Sequence, residues 1–168
     1  MLDRRHALGL LALLLLLFAG CKSDDGLEVS STYDPLTRFP AQASYAWDDA
    51  GSKLPTDPRI QALDLDPLIR GAANEEFALR GYSEVAAGAP NFLLSYELTV
   101  RSWIGPDKAI STASFSLLLS EATTGRHVWL GFARAPVQIG LDSAERGESI
   151  RKAVAKMLEQ FPPSQREN

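Results

Sequence analysis

Few residues in this chain could do chemistry, and their surroundings decide which chemistry is open to them. Cys21 is the only cysteine, and the two histidines are His6 and His127. A thiol nucleophile needs a base and an ordered pocket, but Cys21 sits in LLLLLFAGCKSDD, where hydrocarbon gives way abruptly to charge. A structural zinc needs further Cys or His at ligand spacing, which the chain lacks, and a lone cysteine cannot close an internal disulfide. No metal site is therefore expected. HExxH, GxSxG and a phosphate-binding glycine loop are all absent from the sequence. Glu75 and Glu76 are adjacent, so they point about 100° apart on a helix, poor geometry for an acid–base pair and ordinary for a solvated face. Asp48 and Asp49 beside Trp47 offer carboxylates and a ring to a cation or sugar; the plainer alternative is a polar loop after a strand. What remains for Cys21 is covalent attachment.

The residues before Cys21 fit that role. Arg4 and Arg5 precede an almost unbroken apolar run from Leu8 to Phe18. A membrane-spanning helix needs roughly 20 apolar residues, so the run is too short to span and suits the core of a secretory signal. Phe18, Ala19, Gly20 and Cys21 then resemble the lipobox of bacterial lipoproteins, with Phe18 where that pattern usually carries Leu. The resemblance implies removal of residues 1–20, a diacylglyceryl thioether and an N-acyl chain on Cys21, and no other cofactor. Two acyl chains anchor a protein stably, at about 0.8 kcal/mol per buried methylene. Residues 21–26 form the lipidated N-terminus and a short tether. Lys22, rather than Asp, follows the cysteine, which in the familiar Gram-negative sorting rule favours the outer membrane, facing the periplasm.

Setting aside the first twenty residues, with Arg4, Arg5 and Asp3, leaves 15 basic against 20 acidic residues. A net-acidic domain without a basic block argues against nucleic acid, whose binding draws on Lys and Arg. The 45% hydrophobic content suits a globular domain.

The elements that would position any site follow from periodicity. Leu27 to Tyr33 and Ser44 to Trp47 read as short strands, and Ala50 to Arg59, with Gly51, Pro55 and Pro58, as a loop. Asp66 and Pro67 suggest the start of a helix striped by Leu65, Leu68, Ile69, Ala72 and Phe77 and ended by Gly81. Phe92, Leu94, Tyr96, Leu98 and Val100 alternate with Leu93, Ser95, Glu97, Thr99 and Arg101 along a long strand. After a turn at Gly105 to Asp107, Phe115, Leu117 and Leu119 continue the pattern, and Val128, Leu130 and Phe132 follow a turn at Thr123 to Gly125. Asp142 and Glu145 form a capping pair for a final helix striped by Ile150, Val154, Met157, Leu158 and Phe161 and stopped by Pro162 and Pro163.

The economical arrangement is an α+β two-layer sandwich: an antiparallel meander with both helices packed on one face. One domain is expected over residues 27–163, with 164–168 a loose tail. Strict alternation then places Arg101, Trp103, His127 and Trp129 together on the opposite face. Exposed tryptophans beside a cation would form a platform for a peptide, a glycan or a partner sheet. Alternatively the N-terminal arm, with Tyr45 and Trp47, covers these rings, or a bulge rotates Trp103 inward.

The segments FPAQASYAW (39–47), LRGYSEV (79–85), PNFLLSYEL (90–98), EATTGRHVWLGFA (121–133) and IRKAVAKMLEQFPP (150–163) resemble, in order and spacing, the bacterial lipoproteins of domain-of-unknown-function family 4136. The resemblance implies a lipoprotein α+β domain and no established reaction or ligand. The sequence as a whole is therefore expected to encode an acyl-anchored envelope lipoprotein, non-enzymatic, mediating an interaction or assembly with an envelope protein or glycan. The rival class is an enzyme acting on cell-wall or lipid material.

Overall fold

The computed structural model describes residues 26–104, 109–159 and 161–162. The signal segment 1–20, Cys21 with most of its tether, the turn at Gly105 to Asp107, Pro163 and the tail 164–168 lie outside the described residues. Six strands form one sheet: β1 (Glu28–Tyr33), β2 (Ala43–Trp47), β3 (Tyr82–Glu84), β4 (Phe92–Ile104), β5 (Ala109–Glu121) and β6 (His127–Pro136), in the spatial order β1-β6-β5-β4-β2-β3. Among the described residues three helices accompany them, α1 (Pro58–Gln61), α2 (Leu65–Ala78) and α3 (Ser143–Glu159). The architecture is α+β.

The meander is only part of the sheet. β4, β5, β6 and β1 are antiparallel neighbours, but β2 runs parallel to both β3 and β4, so the sheet is mixed. Period two in the sequence reports a strand's faces and carries no information on its partner's direction. The loop expected at Ala50 to Arg59 also contains the start of α1, where Asp57 accepts a bond from the Arg59 amide and Pro58 occupies the first turn.

Helix α2 begins one residue ahead of its expected cap. Asp64 stands at the N-cap in a left-handed conformation (φ 47°) without a side-chain cap bond, which frees Asp66 in the first turn for other partners. Leu65, Ile69, Ala72, Ala73 and Phe77 are buried, and the chain leaves through Gly81 at φ 82°. A side chain there would also sit 2.2 Å from the Ala41 carbonyl oxygen, so glycine is required twice over. Helix α3 opens with the reciprocal capping box: the Asp142 amide donates to Glu145 (2.8 Å) and the Glu145 amide to Asp142 (2.9 Å). It buries Ala153, Val154, Met157 and Leu158.

The two long helices pack side by side on one face of the sheet. Rows of opposed residues supply the floor: Leu94, Leu119 and Trp129 in one, Tyr96, Leu117 and Gly131 in the next, then Leu98, Phe115 and Ala133. Aromatic rings fill the centre. Trp129 meets Phe161 at 5.3 Å between centroids and Phe77 at 6.3 Å, and Phe161 in turn meets Phe39, Phe77 and Tyr82. Such edge-to-face pairs add about 0.5–1.5 kcal/mol each beyond burial.

Candidate functional site

The four residues assigned by alternation to one exposed platform are not together. Arg101 and Trp103 stand on the open face near the end of β4, where Trp103 is 62% exposed. Trp129 is 1% exposed and belongs to the core. The cause is a bulge in β6: Leu119 opposes Trp129 and Ser120 opposes His127, leaving Val128 as an extra residue. One inserted residue reverses the faces of everything after it. Trp129, Gly131 and Ala133 turn inward, while Leu130 and Phe132, expected in the core, turn outward. The bulge that sequence reasoning considered for Trp103 exists, but it acts on Trp129.

Gly131 makes the inversion feasible. A β-carbon there would lie 2.5 Å from the Trp129 ring and 3.1 Å from Met157, so only a hydrogen leaves room for the indole and α3. His127 stays on the open face, its Nδ1 3.0 Å from the Ser120 hydroxyl. Arg101 opposes Thr112 and His127 opposes Ser120, eight residues apart along β5, or about 27 Å. A single ligand of modest size could not touch both.

The open face carries no helix among the described residues. It is tiled with hydroxyls: Thr99, Thr112, Ser114 and Ser116 lie on it, with Ser30 and Thr32 on β1. Across them runs an apolar diagonal. Leu118 opposes Leu130, Leu93 is the diagonal neighbour of Leu118, and Phe132 continues the line; Leu130 is 39% and Phe132 37% exposed. A sheet face with this mixture can dock an apolar surface while its hydroxyls offer both donors and acceptors.

A polar cluster that sequence reasoning missed joins α2 to the sheet. Asp66, Arg70 and Asn74 recur every four residues and so share one helix face. The Arg70 Nε donates to Asp66 at 2.9 Å and its Nη2 to Asp49 at 2.5 Å, with the guanidinium 4.7 Å above the Trp47 ring. The Tyr96 hydroxyl donates to Asp66 at 2.5 Å. Asn74 accepts from the Tyr45 hydroxyl at 2.7 Å and the Trp47 indole at 3.2 Å, and donates to Glu84 at 2.7 Å. Burial by itself would raise the Asp66 pKa, but the Tyr96 and Arg70 bonds and the guanidinium charge outweigh it and hold the carboxyl below its ordinary value. Burial and the Asp66 bond push Tyr96 up, and burial with the Glu84 charge pushes Tyr45 up. Every polar group in this chain of bonds answers another of the same domain, the arrangement of a strut between layers. Of Asp48 and Asp49, weighed as a cation or sugar site, only Asp49 is part of it, holding Arg70, while Asp48 caps the Gly51 amide at 3.0 Å within its own turn.

Glu75 is exposed and pairs with Arg151 of α3, while Glu76 binds Arg80 at 2.7 Å. Among the described residues no three His, Cys, Asp or Glu side chains gather as a metal site requires, and no helix is long and apolar enough to cross a membrane.

The family model described as "Domain of unknown function (DUF4136)" matches residues 29–163, nearly the whole of the described domain. The chain belongs to that family. No curated protein matches this DUF4136 domain. Solved structures similar to it include a PDZ domain protein from Parabacteroides distasonis (15% identity, TM-score 0.54, covering 82% of this chain). The DUF4136 chain spans 36% of that protein's length. Another is the PelC dodecamer from Paraburkholderia phytofirmans (14% identity, TM-score 0.50, covering 79% of this chain and 94% of that one). At these identities the likeness is one of fold.

Proposed function

We propose that this DUF4136 protein is an acyl-anchored envelope lipoprotein, held at the periplasmic face of the outer membrane, whose domain acts non-enzymatically as an interaction or assembly module. The observation that carries the docking role is the sheet face that no helix among the described residues covers, on which Leu130 and Phe132 are each more than a third exposed beside Leu93 and Leu118. The anchor is supported by the FAGC sequence ending at Cys21 after the Leu8–Phe18 run. The conspicuous ionisable cluster around Arg70 has its bonds closed within the domain, which favours a structural over a catalytic use. PelC, of similar fold, is a dodecamer, so self-association belongs among the outcomes to be read.

The test is site-specific photo-cross-linking in intact cells. A photoreactive residue in place of Phe132 should give adducts of defined mass, either copies of this chain or one envelope partner, and Leu130→Asp should abolish them. The same group at exposed Glu75, on the helix layer, should not reproduce the pattern. Identical products from both positions, or none from position 132, would remove the docking face.

A further inference from the structure

On the open face Phe132 stands between two small neighbours. Ser30 on β1 and Ser116 on β5 oppose it in register, so its ring, more than a third exposed, rises above the row it belongs to. Leu130 and Arg134 follow on the same face, two residues to either side along β6 and about 7 Å away. Arg134 opposes Glu28 in the ladder, yet neither it nor Arg101 makes an ion pair among the described residues. The face therefore offers an apolar knob with positive charge at its side.

The helix layer carries a matching recess. The first turns of α2 and α3 leave between them a groove of about 750 Å³ lined by Leu68, Ala144 and Gly147, with the exposed Glu145 and Glu148 beside them. Arg151, which also lines the groove, is held between Glu148 and Glu75, so the rim stays net acidic. Glycine inside a helix costs about 0.5–1 kcal/mol relative to alanine, and packing does not demand it at 147: an added β-carbon would meet Leu68 at an ordinary 3.6 Å. What the absent methyl does is keep the groove deep. Knob and groove thus agree in apolar character and oppose in charge, and both belong to one chain.

We propose that the groove receives the sheet face of a second copy of this chain: Phe132 and Leu130 of one molecule enter between α2 and α3 of the next, and Arg134 meets Glu145 and Glu148. The inference rests on the docking reading above and names its partner. Knob and groove lie on opposite layers, so the contact is heterologous and joins copies head to tail, in a closed ring or an open file. Glu75 lies two turns beyond Leu68, about 10 Å along α2, so a photoreactive group there stays clear of the contact.

The test pairs two disabled forms of the full chain, purified in mild detergent and followed by sedimentation velocity. Phe132→Asp removes the knob, and Ala144→Arg blocks the groove and repels Arg134; both positions are exposed, so each variant should keep the parent's circular dichroism spectrum. The parent should sediment above monomer mass and each variant alone as a monomer. Their equimolar mixture should give a heterodimer and nothing larger, because one intact knob and one intact groove remain, on different molecules. In intact cells, copies bearing Phe132→Cys and Ala144→Cys under different tags should be joined by a short bismaleimide, and like-with-like pairs should not. A monomeric parent, a mixture that stays monomeric, a variant that assembles alone, or cross-linking of like pairs overturns the proposal. The photoreactive residue at position 132 separates this failure from that of the docking face: adducts of another protein's mass keep the face and discard the second copy, and no adducts discard both.

Discussion

Trp103 and Trp129 are indistinguishable by residue type and opposite in environment, and a matched pair of truncations turns that difference into a measurement. Trp129 is 1% exposed, walled by Phe77 and Phe161 and seated over Gly131. Burying an indole removes roughly 150–250 Å² from water, about 4–6 kcal/mol at 25 cal/mol per Å². The Trp129 Nε1 is buried without a hydrogen-bond partner, so its deletion also relieves a desolvated donor and offsets about 1 kcal/mol. Trp129→Ala should therefore destabilise by about 3–5 kcal/mol, within the range of large-to-small core truncations. At roughly 2–4 °C per kcal/mol for a domain of this size, the melting temperature should fall by about 6–20 °C. Trp103→Ala, at a position 62% exposed, should stay within about 0.5 kcal/mol of the parent. The assay is urea unfolding followed by far-ultraviolet circular dichroism, since the substitutions remove the fluorophore. Trp129→Phe is the control that keeps a ring and drops the orphan donor, and it should recover most of the loss. Equal costs for the two alanine variants, or a Trp129 cost below about 1 kcal/mol, would refute the inverted phase of β6.

Gly131→Ala places a methyl into the Trp129 ring and should cost about 1–3 kcal/mol by overpacking, read as a lowered urea midpoint. Asp66 has a depressed folded-state pKa, so its contribution is present above the unfolded value of about 3.9 and lost as pH falls through the lower folded one. The parent's unfolding midpoint should thus drop more steeply on acidification below about pH 4 than that of Asp66→Asn; parallel curves would exclude Asp66 as the source. Cys21→Ser should abolish incorporation of labelled fatty acid while leaving the circular dichroism spectrum unchanged, and continued labelling would refute the lipobox.

Periodicity made the central strands and both long helices legible. Phe92, Leu94, Tyr96 and Leu98, and Phe115, Leu117 and Leu119, recur with period two, and they face the core as their pattern implies. The Asp142–Glu145 box is a local signal with a local consequence, and it forms. What failed was the phase of β6. RHVWLGFA carries two interleaved sets, Val128, Leu130 and Phe132 against Trp129, Gly131 and Ala133, and ranking by hydrophobicity selects the first. The second wins because its small residues leave a trough for one large ring beneath α3, a packing property that depends on the helix above. Misreading that one residue dissolved the candidate platform. The direction of β2 was hidden for a related reason, since its parallel partners β3 and β4 come from beyond two helices. The Arg70 strut was foreshadowed by the fourfold spacing of Asp66, Arg70 and Asn74, but its aromatic and acidic partners lie in other elements.

The position of β1 has a mechanical consequence. It is an edge strand held to the sheet by a six-residue register with β6, from Glu28–Arg134 to Tyr33–Trp129. Any pull transmitted through the segment preceding Gly26 enters the domain at the start of this strand. Directed along the strand axis, such a load shears the two strands past each other, and the ladder bonds must yield together. Directed across the sheet, it opens them one pair at a time. The resistance of the domain to force is thus set by the angle between the load and the β1 axis, and a load held near that axis meets the stronger response.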